Sequence, residues 1–281
     1  MPEGDTIHRT AATLQRAIGR QLVTGFESVF PALTRVDADR PLRGRVVERV
    51  EARGKHLLIW FSDDLILRTH MRMNGSWHIY RPGERWRRPH SDMRILIETA
   101  AMQAVAFTVP VAEFVTGREL QRHDVIGGLG PDPLSDDFRA DEAVARMRAQ
   151  GGREIADVLL DQTVIAGLGN VFKAEVLFVA GVDPFAPVDR LTREQLEHIV
   201  AVAARLMRAN VGAGAGGPIT TWSGMRRTTG RDDPSARLWV YGRAGRPCRR
   251  CGTPVSRRKQ GLHARGTYWC ERCQRTSARY T

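Results

Sequence analysis

At 281 residues, with 42% hydrophobic side chains, the chain is long enough to fold around two cores. No apolar run approaches the roughly 20 residues that span a bilayer, and charge begins at the third residue, so nothing directs the chain to a membrane or a secretory route and a cytoplasmic protein is expected. The formal charge of +12 is uneven: residues 1–220 carry 28 basic and 28 acidic side chains, residues 221–281 carry 15 and 3. Such a footprint calls for a polyanion, with nucleic acid the first reading and an anionic membrane surface or mere solubility the alternatives. Of 43 basic residues only Lys55, Lys173 and Lys259 are lysines. Lysine can give up its proton where arginine cannot, so each retained lysine invites a reason.

In chain order, Ile7, Ala11, Leu14 and Ile18 recur at helical spacing and Gly19 closes the run, with Asp5 or Thr6 expected as its cap. From about residue 20 to 116 the pattern changes to short runs, "RVVERVEA", "HLLIWF", "LILRTH", "SWHIY", "RILIET" and "QAVAFTVPV", separated by "SDD", "MNG" and "RPGE". These predict strands joined by turns. The expected fold class is α+β: a helix followed by an antiparallel β-sandwich over residues 1–126, then a helical domain over 142–237 and a cysteine-bearing module over 238–275. Residues 127–141, rich in Gly, Pro and Asp, predict a linker. Within the helical domain, "TREQLEHIVAVAARLMRANVG" is bounded by Thr192 as cap and Gly212 at its end. "GAGAGGP", 212–218, predicts a flexible connection, and the aperiodic stretch 220–237 a mobile basic loop.

Cys248 and Cys251 form one C-x2-C pair and Cys270 and Cys273 another, with 18 residues between them. That spacing predicts a tetrathiolate zinc site: two knuckles whose sulfurs close a tetrahedron over a hairpin. All four cysteines of the chain are used, which leaves no open coordination position and predicts one structural Zn²⁺. Two disulfides are the alternative, disfavoured without a secretion signal. The hairpin carries Arg257, Arg258, Lys259 and Arg265, suited either to a DNA groove or to plain solvation.

The stretch "LLDQTVIAGLGNVFKAE", 159–175, predicts a helix ending near Gln162, a glycine turn, and a second helix opening at Asn170. Glycines 167 and 169 before a helix N-terminus suit a phosphate, or serve only as ordinary caps. On the apolar second helix, Glu175 is expected to be buried, where a carboxylate needs a partner or a function. An arginine of the sandwich is the simple partner.

With "PEGD" at the start, "VEARGKHLL" at 50–58, "HMRMNG" at 70–75, "LLDQ…AGLGN" at 159–170 and "VYGRAGRPCRRCG…YWCERC" at 240–273, the sequence resembles the endonuclease VIII branch of the formamidopyrimidine-DNA glycosylase superfamily. Order and spacing match over nearly the full length. The resemblance implies a two-sheet sandwich, a helix-two-turn-helix domain with a zinc finger, and DNA between them. It implies a monomer acting on double-stranded DNA that contains oxidised bases or abasic sites, in the bacterial cytoplasm at the nucleoid.

The resemblance also implies roles. Pro2, freed by removal of Met1, is a secondary amine whose nitrogen attacks C1′ of the damaged nucleotide; the iminium so formed drives β,δ-elimination. Glu3 is the acid that protonates the sugar oxygen. Lys55 holds phosphate or assists departure of the base, and Glu175 supports the site from the helical domain. Met73, flanked by Arg72 and Asn74, fills the gap left by the flipped nucleotide. Asn170 and Arg265 grip the phosphates beside the lesion. Thr6 stands where the family usually has a second glutamate, and "RMN" differs from the Gln-Leu-Tyr of the best-known endonuclease VIII. "TVPVAEFVTG", 108–117, lacks the Arg and Phe of the oxidised-purine branch, so oxidised pyrimidines are the expected substrates. A purine-lesion glycosylase and a non-catalytic zinc-finger damage-binding protein are the alternatives.

Overall fold

The apolar face of the first helix, α1 (Gly4–Ile18), is fully buried at Leu14 and Ile18 and nearly so at Ile7 and Ala11. The computed structural model describes residues 2–212, 228–229 and 237–274 of a chain that divides into two compact units, the first running to Gly128 and the second starting at Leu129. Glu3, not Asp5 or Thr6, is the N-cap residue of α1. Its carbonyl accepts from the N–H groups of Thr6 and Ile7, whereas Asp5 turns along the helix to Arg9, 3.7 Å away. A short acid in the first turn pairs with the arginine one turn on rather than with the helix end.

The strands of the first unit are β1 (Val23–Ser28), β2 (Val47–Arg53), β3 (His56–Phe61), β4 (Leu65–His70), β5 (Ser76–Tyr80), β6 (Met93–Thr99), β7 (Gln103–Phe107) and β8 (Val111–Val115). They form two antiparallel four-stranded sheets, ordered β1-β6-β7-β5 and β2-β3-β4-β8. Alternate residues point inward, so Leu57, Ile59 and Leu67 of one sheet share a core with Trp77, Ile79, Ile95 and Ile97 of the other, under α1. Each such side chain contributes roughly 1.5–3 kcal/mol. One helix escaped the strand pattern: α2 (Pro31–Asp39), opened by a proline at its first position, buries only Leu33. The unit ends in two short helices, α3 (Gly117–Gln121) and α4 (Asp124–Gly127).

The second unit holds α5 (Ala140–Arg148), α6 (Ile155–Val158), α7 (Asn170–Ala180), α8 (Arg193–Gly212), and the antiparallel hairpin β9 (Ser256–Gln260) and β10 (Arg265–Trp269). Thr192 and Gln195 cap α8 reciprocally, each side chain meeting the other's N–H. Residues 129–138, within the expected linker, are packed onto this unit. Gly130 N donates to Gln162 O at 2.8 Å, Ala166 N to Pro131 O at 3.0 Å, and Leu134 and Phe138 press on the helical core. The glycine stretch 212–218 and the basic loop 220–237 lie outside the described residues except at Gly212, Thr228, Thr229 and Arg237. Among the described residues no helix is long and apolar enough to cross a membrane.

Candidate functional site

In the first unit the two residues ahead of α1, Pro2 and Glu3, are buried, Glu3 completely. Met1 lies outside the described residues. Lys55 is half-buried in the tight turn between β2 and β3, where Gly54 takes φ +57°. The turn after β4 presents Arg72, Met73 and Asn74 to solvent, Met73 at 57% exposure, while its neighbour Met71 is packed in the core. Two local constraints shape this turn. Arg72 adopts φ +49°, and a Cβ on Gly75 would lie 2.6 Å from the Met71 carbonyl oxygen, to which Gly75 N donates. The sequence therefore folds so that an unbranched apolar side chain projects from a pinned turn.

Beside Lys55 and this turn lies a polar network that sequence reasoning missed. Arg68, buried on β4, donates to Glu113 on β8 and lies 2.9 Å from His56 Nδ1; His123 Nε2 is 2.8 Å from the same Glu113 oxygen. The His56 and His70 rings meet edge to face at 4.8 Å, and His70 Nδ1 accepts from Arg72 N–H at 3.1 Å. Burial, then the neighbouring His70 and Arg68, pushes His56 down to about 3; burial, then Arg72 and Lys55, pushes His70 down to about 4. Arg68, with His123, holds Glu113 below the usual carboxylate range against the opposing effect of burial. Strand alternation put these side chains on one face, but only the observed register, His56 opposite His70 and Arg68 opposite Glu113, brings them together.

That network has a consequence for stability. Both histidines are neutral in the fold and titrate near 6.5 when unfolded, so below that pH the unfolded chain takes up protons that the fold refuses. Stability is full above about pH 6.5 and falls by about 1.4 kcal/mol per pH unit per histidine as pH drops toward 4. Thermal denaturation between pH 7 and 4.5 is expected to show a decline that is shallower in His56→Gln.

In the second unit α7 carries Asn170, Lys173 and Glu175, all buried. Gln162 braces the turn that leads to it: Nε2 donates to Leu160 O and Leu168 O, and Oε1 accepts from Gly167 N, whose φ of +85° favours glycine. Asn170 Nδ2 donates to Gly266 O of β10 at 3.0 Å, while its Oδ1 is buried with no hydrogen-bond partner among the described residues. Arg265, exposed, opens β10 next to that glycine.

Among the described residues the partners of Glu175 are four donors of its own unit, not an arginine. Its carboxylate accepts from the backbone N–H groups of Trp239 (2.7 Å), Val240 (2.9 Å) and Tyr241 (2.8 Å) and from the Thr228 hydroxyl. Burial raises its pKa above the ordinary range and the four donors oppose that rise. The carboxylate thus ties α7 to the segment entering the cysteine module. Phe178 adds to this by stacking on Trp239 at 5.4 Å.

The four cysteine Sγ atoms lie within 4.8 Å of one another, with Cys251–Cys270 at 3.4 Å and Cys248–Cys273 at 3.9 Å. A tetrahedral ion with bonds of about 2.3 Å needs sulfurs about 3.8 Å apart. The thiol set fits one such metal ion closed to other ligands. On the first unit, the loop 83–90 and Gln103 line a cavity of about 640 Å³, with Trp86 stacked on His90 at 4.1 Å. No sequence motif pointed to it.

Residues 1–110 match the formamidopyrimidine-DNA glycosylase N-terminal domain, 129–221 its H2TH domain, and 245–276 a zinc finger found in FPG and IleRS. The chain is 39% identical to the probable endonuclease 8 2 of Streptomyces coelicolor, over 98% of this chain and 94% of that one. The chain belongs to the formamidopyrimidine-DNA glycosylase/endonuclease VIII family. It is thereby an enzyme of the DNA glycosylase and AP lyase class of base excision repair. It is also 38% identical to the DNA-(apurinic or apyrimidinic site) lyase Nei2 of Mycolicibacterium smegmatis, over 99% of this chain and all of that one. In fold it is similar to the Lactococcus lactis Fpg solved with DNA containing an abasic site, with a TM-score of 0.81 at 22% identity over 98% of this chain and all of that one. Within the family frame the buried Pro2–Glu3 pair and the Met73 turn belong to the sandwich. Asn170, Arg265 and the thiol cluster belong to the helical unit.

Proposed function

We propose that this enzyme excises oxidised pyrimidines from double-stranded DNA through a Schiff base on Pro2 and then opens the abasic site by β,δ-elimination. The observation that carries the reading is the placement of Pro2 and Glu3, both buried at the mouth of α1 rather than frayed. A secondary amine there is shielded from bulk water, with a carboxyl group on the next residue. Pro2 forms the N–C1′ bond as the N-glycosidic bond breaks; Glu3 supplies the proton that opens the sugar ring at its oxygen. Lys55 contributes an ammonium at the turn edge to a phosphate or the departing base, and Met73 wedges into the stack between Arg72 and Asn74. From the helical unit, the second N–H of Asn170 Nδ2 and the Arg265 guanidinium take the flanking phosphates. Glu175 serves the site by positioning, through the backbone it holds.

The thiol cluster holds one zinc ion, which when bound fixes the hairpin that bears Arg265. Thiolate donors with no open position suit zinc in a structural role. The preference for pyrimidines is supported by the stretch 108–117, which keeps Phe114 but lacks the Arg-and-Phe pair of the purine branch. A cytoplasmic monomer working at the nucleoid completes the reading. Parallel cleavage of duplexes containing thymine glycol, 5-hydroxycytosine and 8-oxoguanine tests it. The two pyrimidines are expected to be cut faster than 8-oxoguanine by at least about tenfold, a modest gap for a pocket that differs by one lost pair of contacts. Faster cutting of 8-oxoguanine would reassign the enzyme to purine lesions.

A further inference from the structure

We propose that Lys173 is a positioning residue for phosphate binding, acting through Thr267 to set Arg265 against Asn170; this rests on the phosphate contacts assigned above to those two residues. Lys173 is fully buried on α7, one turn after Asn170 and on the same face. Its Nζ donates to Thr267 Oγ1 at 2.7 Å, and Asn170 Nδ2 donates to Gly266 O at 3.0 Å. Gly266 and Thr267 directly follow Arg265 on β10. Two hydrogen bonds from one helical turn therefore fix the register of β10 on α7 at the residues adjoining the arginine.

The bond to Thr267 heads a longer chain. Thr267 Oγ1 donates onward to Gln260 Oε1 at 2.6 Å, and Gln260 Nε2 donates to Glu154 Oε2 at 2.6 Å and to Pro184 O at 3.1 Å. An ammonium can only donate and a carboxylate only accept, so the hydroxyl and amide between them each have one possible orientation. Thr267 is fully buried and Gln260 nearly so, which makes the network rigid rather than solvent-exchanged. Both hairpin strands, β9 through Gln260 and β10 through Thr267, are held by it. A compact ammonium on a flexible stem can end on a single hydroxyl, whereas a planar guanidinium presents a five-donor fork. That accounts for one of the three lysines in a chain that uses arginine at 40 of its 43 basic positions.

The test is binding to a duplex carrying a tetrahydrofuran abasic analogue, which the enzyme holds without turning over. Thr267→Val keeps the shape of the side chain and removes the acceptor from the ammonium. It is expected to weaken binding by about tenfold or more, and to lower the slope of log K against log salt by about 1. Thr267→Ser is expected to restore both, zinc content is expected to stay at one per chain, and Arg265→Ala with Thr267→Val is expected to bind no more weakly than Arg265→Ala alone. Wild-type affinity in Thr267→Val, no restoration by serine, effects that multiply in the double variant, or loss of zinc would each overturn the proposal. Wild-type binding by Arg265→Ala would remove the phosphate contact and the proposal with it. Failure of the wild-type enzyme to trap on true abasic DNA would contradict the Pro2 chemistry alone.

Discussion

Glu3→Gln is expected to slow removal of an oxidised pyrimidine by about two to four orders of magnitude, the usual worth of a positioned acid. The same variant is expected to keep much of its strand cleavage at a preformed abasic site. The split follows from the chemistry. Expelling a base requires the sugar to be opened by a proton, but an abasic deoxyribose already equilibrates with its open aldehyde, which the amine can attack directly. Gln keeps the size of the side chain, and the carbonyl that starts α1 is untouched because no side-chain cap is involved. Comparing single-turnover rates on thymine glycol and abasic duplexes checks this. Equal losses on both substrates would assign Glu3 to orientation of Pro2 rather than to proton transfer.

Cys270→Ala is expected to abolish zinc binding and, with it, tight DNA binding. Cys270 is fully buried and packs with Ala174 and Phe178 of α7, Val240 and Val255, so the metal and this small core hold the module jointly. Structural zinc contributes about 10–16 kcal/mol to the folding of isolated fingers, far more than this small core can replace. The slope of log K against log salt is expected to fall by about 1 for each phosphate contact the hairpin makes. Metal content by atomic emission and affinity across a salt series read the two effects together. A variant that lost zinc yet kept the wild-type slope would show that the hairpin does not touch phosphate.

The sandwich strands were legible because alternation is a local signal; "HLLIWF" and "LILRTH" became β3 and β4 with neighbouring register. The thiol site was legible because its spacing encodes its geometry. What sequence could not supply was pairing. The Arg68–His56–His70 network depends on register between strands, and three of the four partners of Glu175 are backbone groups more than 60 residues away, which carry no side-chain signature. The cap of α1 was misplaced for a related reason: Asp5 is a good capping type, but Arg9 one turn on competes for it. Residues 129–138 have linker composition yet are tied to the helical unit by their backbone, which composition does not report.

Covalent capture decides whether Pro2 carries the reaction. The most direct measurement is borohydride reduction of the enzyme with an abasic duplex, followed by protease digestion and mass mapping of the adduct. A covalent adduct is expected on the N-terminal peptide, at the nitrogen of Pro2, from protein whose mass shows that Met1 is absent. An adduct on Lys55 or Lys173, or none at all from such protein, would contradict it.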